Sequence, residues 1–195
     1  LILEAVDRRR DSATAVNERV TGELVHRHDR RIAEQSAKFY RIAHPFSDNR
    51  NQARRSRLLV DHAKRHLIGN HTFYHVDVNS LPLKEACAEI QDTSSAITAI
   101  TGQQVEYVRP PYGSWNKELE CEVLMIPVFW TLDTLDWKVK NADQIVREVL
   151  SDVEENDVIL MHDSYRTTVD AALRIVDALQ EKGYEFVTAD ELILE

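Results

Sequence analysis

The chain has 195 residues, of which 43% are hydrophobic and 29% charged, and its formal net charge is −9. This composition is typical of a globular domain with a sizeable core, and it excludes a disordered chain. No apolar run is long enough to span a membrane, and no secretory signal is recognisable. The chain begins with Leu1 rather than Met, which leaves open that a targeting segment is missing.

The charge is unevenly distributed, with a net charge of +5 over residues 1–57 and −14 over the rest. A nucleic-acid-binding face usually combines basic residues with aromatic platforms, and the basic part offers only Phe39 and Tyr40. A solvated helical surface explains the arginines more simply, so we predict no nucleic-acid partner.

In chain order, strands and helices alternate. The predicted strands are residues 1–6, 67–68, 105–108, 126–132, 158–161 and 184–187. The predicted helices are residues 15–39, 58–65, 81–101, 141–153 and 168–182, and one that begins after residue 188. The long crossovers predict a parallel sheet, in a barrel or a doubly wound arrangement. No linker or repeat divides the chain, so residues 1–195 are predicted to form one domain, in which residues 1–57 are unusually poor in glycine.

Local signals predict where several helices begin and end. Ser80 and Asn141 are predicted to cap their helices, and Gly102 is predicted to end the first of these two. Gly183 is predicted to end the helix at residues 168–182. Thr188 and Glu191 have the T-x-x-E spacing of a capping box. The run at residues 126–132 is continuously apolar, which is typical of a strand covered on both faces, and residues 158–161 are predicted to be the next buried strand.

Side chains that can carry chemistry follow four predicted strands. They are His71 and His75 after residue 68, Arg109 after residue 108, Asp136 after residue 132, and His162 after residue 161. The carboxyl ends of the strands of an α/β barrel share one face, where its active site forms. Each feature alone also has a structural explanation: two surface histidines, a stiff proline turn or a core tryptophan. Together they favour an active site.

The four motifs occur in a recognisable order: G-N-H-T-x-x-H at 69–75, R-P-P-Y-G at 109–113, D-x-x-D-W at 133–137 and L-M-H-D at 160–163. This order resembles the polysaccharide deacetylases of the NodB-homology type, carbohydrate esterase family 4, over residues 58–195. The resemblance implies an α/β fold, a distorted (β/α) barrel with parallel strands and outer helices. It also implies metal-dependent removal of acetyl groups from N-acetylated sugar polymers.

The resemblance further implies a role for individual side chains. The metal ligands are His71 and His75, with Thr72 holding their loop, and the metal is zinc or another transition metal such as cobalt. The catalytic group comprises Asp7 as base, Arg109 orienting it, His162 as general acid, Asp136 supporting that acid, and the Tyr112 backbone N–H as oxyanion donor. The walls of the acetyl pocket are Trp137 and Leu160.

The chemistry agrees with these roles. A divalent metal polarises an amide carbonyl and lowers the pKa of a bound water. A backbone donor stabilises the developing oxyanion. A histidine must protonate the departing amine, because an amide anion is a poor leaving group.

The first motif of the family, T-F-D-D-G, is altered in this chain. The segment AVDRRRDSAT at residues 5–14 aligns Asp7 with the base, but Arg8 with a metal-binding aspartate and Arg9 with the glycine. A guanidinium has no lone pair for a cation. Three explanations stay open: a deacetylase in which Asp11, Asp48 or solvent completes the metal shell, an inactive relative that binds glycans, or an N-terminal segment that differs from that of the functional protein.

The expected substrate is N-acetylglucosamine in peptidoglycan, because DTLDWKVKN (133–141) resembles cell-wall deacetylases of Gram-positive bacteria. Chitin oligomers and acetylated xylan are alternative substrates. The non-enzymatic alternative is a glycan-binding module that stacks sugars on aromatic faces, namely Tyr112, Trp115, Trp130 and Trp137. We expect a monomer at the surface of, or outside, a bacterial cell, with an acetylated glycan as partner and no membrane contact within this chain.

Overall fold

The computed structural model describes residues 2–7, 37–38, 67–162 and 164–193. Contacts divide the chain into two compact units: unit 1 is Leu1–Ala37 with Trp130–Glu195, and unit 2 is Lys38–Phe129. The prediction of one domain over residues 1–195 stays a prediction. No helix in the described part of the chain is long and apolar enough to cross a bilayer.

The described elements are as follows. The strands are β1 (Ile2–Asp7), β2 (Ala37–Lys38), β3 (Tyr107–Val108), β4 (Ile126–Pro127), β5 (Leu132–Asp133), β6 (Val158–Met161) and β7 (Glu185–Val187). The helices are α1 (Leu83–Thr101), α2 (Lys117–Val123), α3 (Asp136–Val139), α4 (Ala142–Asp152), α5 (Arg166–Glu181) and α6 (Ala189–Ile193). Turns of 3-10 helix lie at Val78–Ser80 and Pro111–Gly113.

Unit 1 is built on a sheet with strand order β2-β1-β6-β5, in which β7 also pairs with β1. The β5–β6 pair is parallel, as the sequence predicted. Strand β1 runs antiparallel to both β6 and β7, which the sequence did not predict. A hydrophobic pattern predicts a strand but carries no information on its direction, which had been inferred from the length of the crossovers.

The core of unit 1 lies between β6 and the helices α4 and α5. All four residues of β6 are buried, as predicted for a strand covered on both faces. The two helices bury one stripe each, at the spacing of a 3.6-residue period. The buried cluster includes Ile145, Val149, Ile159, Met161, Ala171, Ile175 and Leu179.

The predicted ends of the later helices are confirmed. Asn141 caps α4 by accepting a hydrogen bond from the Gln144 N–H at 3.0 Å. Gly183 follows α5 with φ of +87°, a conformation that disfavours residues with a side chain. The Thr188 N–H donates to the Glu191 carboxylate at 2.9 Å, which is one half of the predicted capping box.

Unit 2 packs α1 and α2 against the short parallel pair β3–β4. Its buried cluster includes Val78, Ala86, Ile90, Val108, Leu119 and Met125. Gly102 ends α1 with φ of +76°, as predicted. Ser80 does not cap α1, because its hydroxyl donates to the Asp77 carbonyl at 2.6 Å within a separate 3-10 turn, and Pro82 takes the cap position.

Several predicted strands are shorter than expected. Residues 67–68 form no strand, and the chain instead makes a single parallel bridge between Asn70 and Val108. The predicted strand over 105–108 is reduced to β3. The predicted strand over 126–132 is divided into β4 and β5, and its member Ile126 is exposed. β4 pairs with β3 and β5 pairs with β6, and an apolar pattern does not reveal this change of partner.

Two predicted helices fall mostly outside the described residues. Of residues 15–39 only 37–38 are described, and none of residues 58–65 is. Within the first of them, Ala37–Lys38 form β2, so the helix prediction is wrong for these two residues.

Candidate active site

The two histidines of the first motif lie together on a loop of unit 2. His71 is buried, and its Nδ1 lies 2.5 Å from the carbonyl oxygen of Arg109. A carbonyl only accepts, so Nδ1 carries the proton and Nε2 keeps its lone pair. The His75 ring lies edge-on to that of His71, with centroids 4.8 Å apart. The pair therefore presents imidazole nitrogens as donors for a cation.

The loop is held in an unusual backbone conformation. Thr72 and His75 have φ of +56° and +58°, which side-chain-bearing residues adopt only when surrounding contacts impose it. The Thr72 hydroxyl accepts a hydrogen bond from the Val76 N–H at 3.2 Å, which agrees with its predicted role of holding the loop.

Asn70 attaches this loop to helix α1. Its fully buried side chain accepts from the Thr72 N–H at 2.9 Å and donates to the Ile90 carbonyl at 2.7 Å and the Ser94 hydroxyl at 2.8 Å. Glu89 of the same helix accepts from the Tyr74 N–H at 2.8 Å. Helix α1 thus serves as the platform on which the histidine loop is fixed.

The environment of His71 keeps its imidazole neutral. Burial lowers the pKa of His71 to about 3, while the hydrogen bond to the Arg109 carbonyl raises it and the charge of His75 lowers it. Neutral imidazole is the form that binds metal ions. At neutral pH, His71 is therefore ready to act as a ligand without losing a proton.

The donor set fits part of a transition-metal site. Imidazole ligands suit zinc, copper, iron and nickel. Among the residues that the structure describes, no third His, Cys, Asp or Glu joins the pair. The side chain of Asp7 and the whole of Arg8 lie outside the described residues, as do Asp11 and Asp48, so the identity of a third ligand stays a hypothesis.

Arg109 and Tyr112 lie beside the histidine loop within unit 2. The Arg109 side chain is fully buried, and its Nη2 donates to the Phe129 carbonyl at 3.2 Å. Burial lowers the pKa of Arg109 to about 9, so the guanidinium is still charged at neutral pH. Tyr112, with φ of +60°, is exposed and places its ring edge-on to His75 with centroids 5.0 Å apart.

Unit 1 brings together the second set of predicted residues. The Asp136 carboxylate is fully buried, and its Oδ1 lies 2.7 Å from His162 Nδ1. Its Oδ2 accepts from the His162 backbone N–H at 2.6 Å and from the Thr168 hydroxyl at 2.7 Å. Because a carboxylate only accepts, Nδ1 carries the proton and Nε2 is the second functional nitrogen of the ring.

Three hydrogen bonds keep Asp136 ionised. Burial raises the pKa of this carboxyl group, but the hydrogen bonds from His162 and Thr168 together hold it below its usual range. At neutral pH the buried Asp136 carboxylate is therefore negatively charged, and it is hydrogen-bonded to the His162 imidazole.

The two predicted pocket residues differ in exposure. Trp137 follows Asp136 in α3 and is half exposed, so its indole is available to a ligand. Leu160 is buried in β6, where its carbonyl accepts from the Thr134 hydroxyl at 2.8 Å. Their role as walls of an acetyl pocket stays a prediction.

The sequence did not single out Asn70, Glu89 or Thr168. Asn70 stands next to His71 in the G-N-H-T motif, which is the one signal that could have identified it. Glu89 and Thr168 lie inside predicted helices, and their partners are 15 and 32 residues away along the chain. No local pattern indicates such contacts.

Comparisons with known proteins agree with these motifs. A family model described as polysaccharide deacetylase matches residues 32–124. A solved structure of the peptidoglycan deacetylase PdaC from Bacillus subtilis is 37% identical, with a TM-score of 0.69, over 72% of this chain and 70% of that chain. The chain belongs to the polysaccharide deacetylase family. The predicted fold class, the (β/α) barrel of NodB-homology deacetylases, is likewise confirmed.

Two curated members of the polysaccharide deacetylase family are similar over comparable lengths. The peptidoglycan-N-acetylmuramic acid deacetylase PdaC of Bacillus subtilis is 40% identical over 125 residues, which is 64% of this chain. The peptidoglycan-N-acetylglucosamine deacetylase PgdA of Listeria monocytogenes is 35% identical over 127 residues, which is 65% of this chain. The chain spans about a quarter, 27%, of the length of each of these relatives.

Proposed function

We propose that this chain is the catalytic part of a metal-dependent hydrolase that removes N-acetyl groups from amino sugars of peptidoglycan. The observation that carries the proposal is the Asp136–His162 pair, a buried ionised carboxylate against an imidazole, in a chain of the polysaccharide deacetylase family. Such a pair is suited to general acid catalysis of amide cleavage.

His162 would protonate the departing amine. Its Nδ1 is engaged by Asp136, so Nε2 is the atom from which a proton can be transferred. The negative charge of Asp136 compensates the positive charge of the doubly protonated ring. Protonation is required because the amine of the sugar cannot leave as an amide anion.

His71 and His75 would hold the metal, for which zinc is our first choice and cobalt the alternative. A divalent ion there would supply polarisation of the amide carbonyl and a lowered pKa for water. The Tyr112 N–H would donate to the developing oxyanion, and Asp7, oriented by Arg109, would take the proton of the attacking water. Trp137 and Leu160 would bound the acetyl group.

The two named relatives act on different sugars of one polymer, and we propose N-acetylglucosamine as the sugar for this chain. The expected place of action is the cell wall, outside the membrane, and the expected state is monomeric. Chitin oligomers and acetylated xylan are the substrates against which this choice is tested.

The test measures acetate released from peptidoglycan, from chito-oligosaccharides and from acetylated xylan. We expect release from peptidoglycan that stops on addition of a chelator and returns with zinc or cobalt. A product analysis separates the two peptidoglycan sugars. Glycan binding without acetate release would support the inactive glycan-binding module instead, and a lack of both would reject the proposal.

Variants of the two histidine groups test the assignment of roles. His162→Ala should keep the fold and lower kcat roughly 100-fold or more. Replacing both His71 and His75 with Ala should abolish bound metal, measured by elemental analysis. An unchanged kcat for the first variant, or an equal metal content for the second, would contradict the corresponding role.

A further inference from the structure

We propose that Thr168 is a positioning residue for the Asp136–His162 pair, whose hydroxyl fixes the orientation of the Asp136 carboxylate and thereby of the His162 ring. The proposal rests on the proposed function for its catalytic consequence. Its structural content concerns unit 1 alone and needs no bound metal or substrate.

The contact is short and completely buried. Thr168 is the third residue of α5, and its Oγ1 lies 2.7 Å from Asp136 Oδ2. Neither side chain is accessible to solvent. The hydroxyl has a single proton, and a carboxylate offers only acceptors, so Thr168 donates and Asp136 accepts.

The other donors to Asp136 do not hold the carboxylate independently of His162. The Asp136 carboxylate also accepts from a ring Nδ1–H and a backbone N–H, and both of these donors belong to His162. The terminal torsion of an aspartate has a broad, roughly two-fold energy profile. The backbone N–H of His162 stays in place when the ring changes its protonation state, but one such donor to Oδ2 does not fix the plane of the carboxylate. Thr168 supplies a second donor to Oδ2, from another element.

Helix α5 is a rigid support for that third donor. The turn after Thr168 carries Ala171 and Ala172, and both are buried in the core of unit 1. Thr168 also donates its backbone N–H to the Tyr165 carbonyl at 3.1 Å, within the first turn of the helix. The position of the Thr168 hydroxyl is thus fixed by the packing of α5 in the core. Through its hydrogen bond to Asp136, the hydroxyl connects this helix to the acid–base pair.

A purely structural role for Thr168 makes a different prediction. If the hydroxyl only attaches α5 to α3, its loss lowers stability and leaves the tautomer of His162 and the rate of the chemical step unchanged. Thr93 is the matched control, because it is equally buried and its hydroxyl donates to the Glu89 carbonyl at 2.8 Å, in unit 2.

The experiment compares Thr168→Val, Thr168→Ala and Thr168→Ser with Thr93→Val. The first readout is the ¹⁵N spectrum of the His162 ring in the free protein. The signals of this ring are identified as those that disappear in His162→Ala. We expect the neutral ring of the wild type to be a single Nδ1–H tautomer. Thr168→Val and Thr168→Ala should give a mixture of tautomers, while Thr168→Ser and Thr93→Val should match the wild type.

The second readout is kinetic. Loss of the hydroxyl should lower kcat about tenfold with little change in KM, since one hydrogen bond to a charged group is lost. Thr168→Ser should restore the rate. If Thr168→Val does not fold, the comparison of Ala with Ser at this position decides.

A wild-type tautomer pattern in the folded variants that lack the hydroxyl would overturn the proposal. So would a kcat in Thr168→Ala equal to that of Thr93→Val. Absence of deacetylase activity in the wild type, together with the expected tautomer change, would refute the proposed function and support the positioning role of Thr168.

Discussion

Replacing Asn70 with Ala should loosen the histidine loop, because the buried Asn70 side chain makes three hydrogen bonds that attach this loop to α1. The substitution removes one hydrogen bond that the side chain accepts, from Thr72, and two that it donates, to Ile90 and Ser94. The backbone bonds of Asn70 to Tyr107 and Arg109 do not depend on the side chain and should persist.

The magnitude follows from these three hydrogen bonds. A hydrogen bond between uncharged groups contributes about 1 kcal/mol net, and a buried donor left without its acceptor costs about 1–3 kcal/mol. The Thr72 N–H is such a donor, because Thr72 is fully buried. We therefore expect the free energy of unfolding to fall by about 3 kcal/mol, which corresponds to roughly 6–12 °C in Tm for a chain of this size.

Urea unfolding of Asn70→Ala and of a matched control measures this effect. The control is Asn79→Ala, which removes one hydrogen bond from Asn116 at an exposed position and should change stability by less than about 0.5 kcal/mol. Asn70→Asp keeps the acceptor for Thr72 but loses both donors and buries a charge, so it should destabilise at least as much as Ala.

Two results would refute this reasoning. One is an unfolding free energy of Asn70→Ala that differs from that of Asn79→Ala by less than about 0.5 kcal/mol, which is roughly the effect of a neutral surface change. The other is a wild-type stability for Asn70→Asp, which would mean that the two bonds donated to α1 contribute nothing.

Three further predictions concern other parts of the chain. As pH falls from 6.5 toward about 3, the unfolded chain binds a proton at His71 that the folded chain does not, so the free energy of unfolding should fall by up to about 1.4 kcal/mol per pH unit. His71→Gln should remove this contribution to the pH dependence of stability, measured by urea unfolding at several pH values. An unchanged pH dependence in this variant would contradict the buried neutral ring. Leu124 follows α2, is 88% exposed and has φ of +45°, so Leu124→Gly should raise the free energy of unfolding by about 1 kcal/mol. Gly102→Ala, at φ of +76°, should lower it by about as much. Calorimetry measures both variants, and equal Tm values would refute the backbone strain. Glu89→Ala should weaken zinc binding in calorimetric titration by releasing the Tyr74 N–H, whereas Glu89→Gln keeps an acceptor and should bind as the wild type does; equal affinities would show that this contact does not order the loop.

The sequence predicted best where local chemistry determines structure. The buried strand β6, the Asn141 cap and the Gly183 stop follow from apolar runs, capping side chains and left-handed glycine. The motif order also predicted the family and its fold class. These features depend on residues close together in the chain, which is why one sequence suffices to find them.

The sequence predicted least where distant residues decide the outcome. The antiparallel pairing of β1 depends on which strands it meets, and its own pattern does not specify that. The division of residues 126–132 into two strands follows from separate partners, β3 for β4 and β6 for β5. Thr168 was predicted only as the beginning of a helix, because its partner Asp136 is 32 residues earlier.

The His71 loop and the R-P-P-Y-G turn, two separate motifs in sequence, form one hydrogen-bonded assembly in unit 2. The Asn70 carbonyl accepts from the Arg109 N–H at 2.8 Å, and the Arg109 carbonyl accepts from His71 Nδ1 at 2.5 Å. These contacts use the Arg109 backbone, so the ring orientation of His71 depends on where β3 ends and not on the guanidinium. The Arg109 guanidinium takes no part in these two contacts, and its Nη2 donates to the Phe129 carbonyl. The two motifs are therefore fixed to each other through the backbone groups of Asn70 and Arg109.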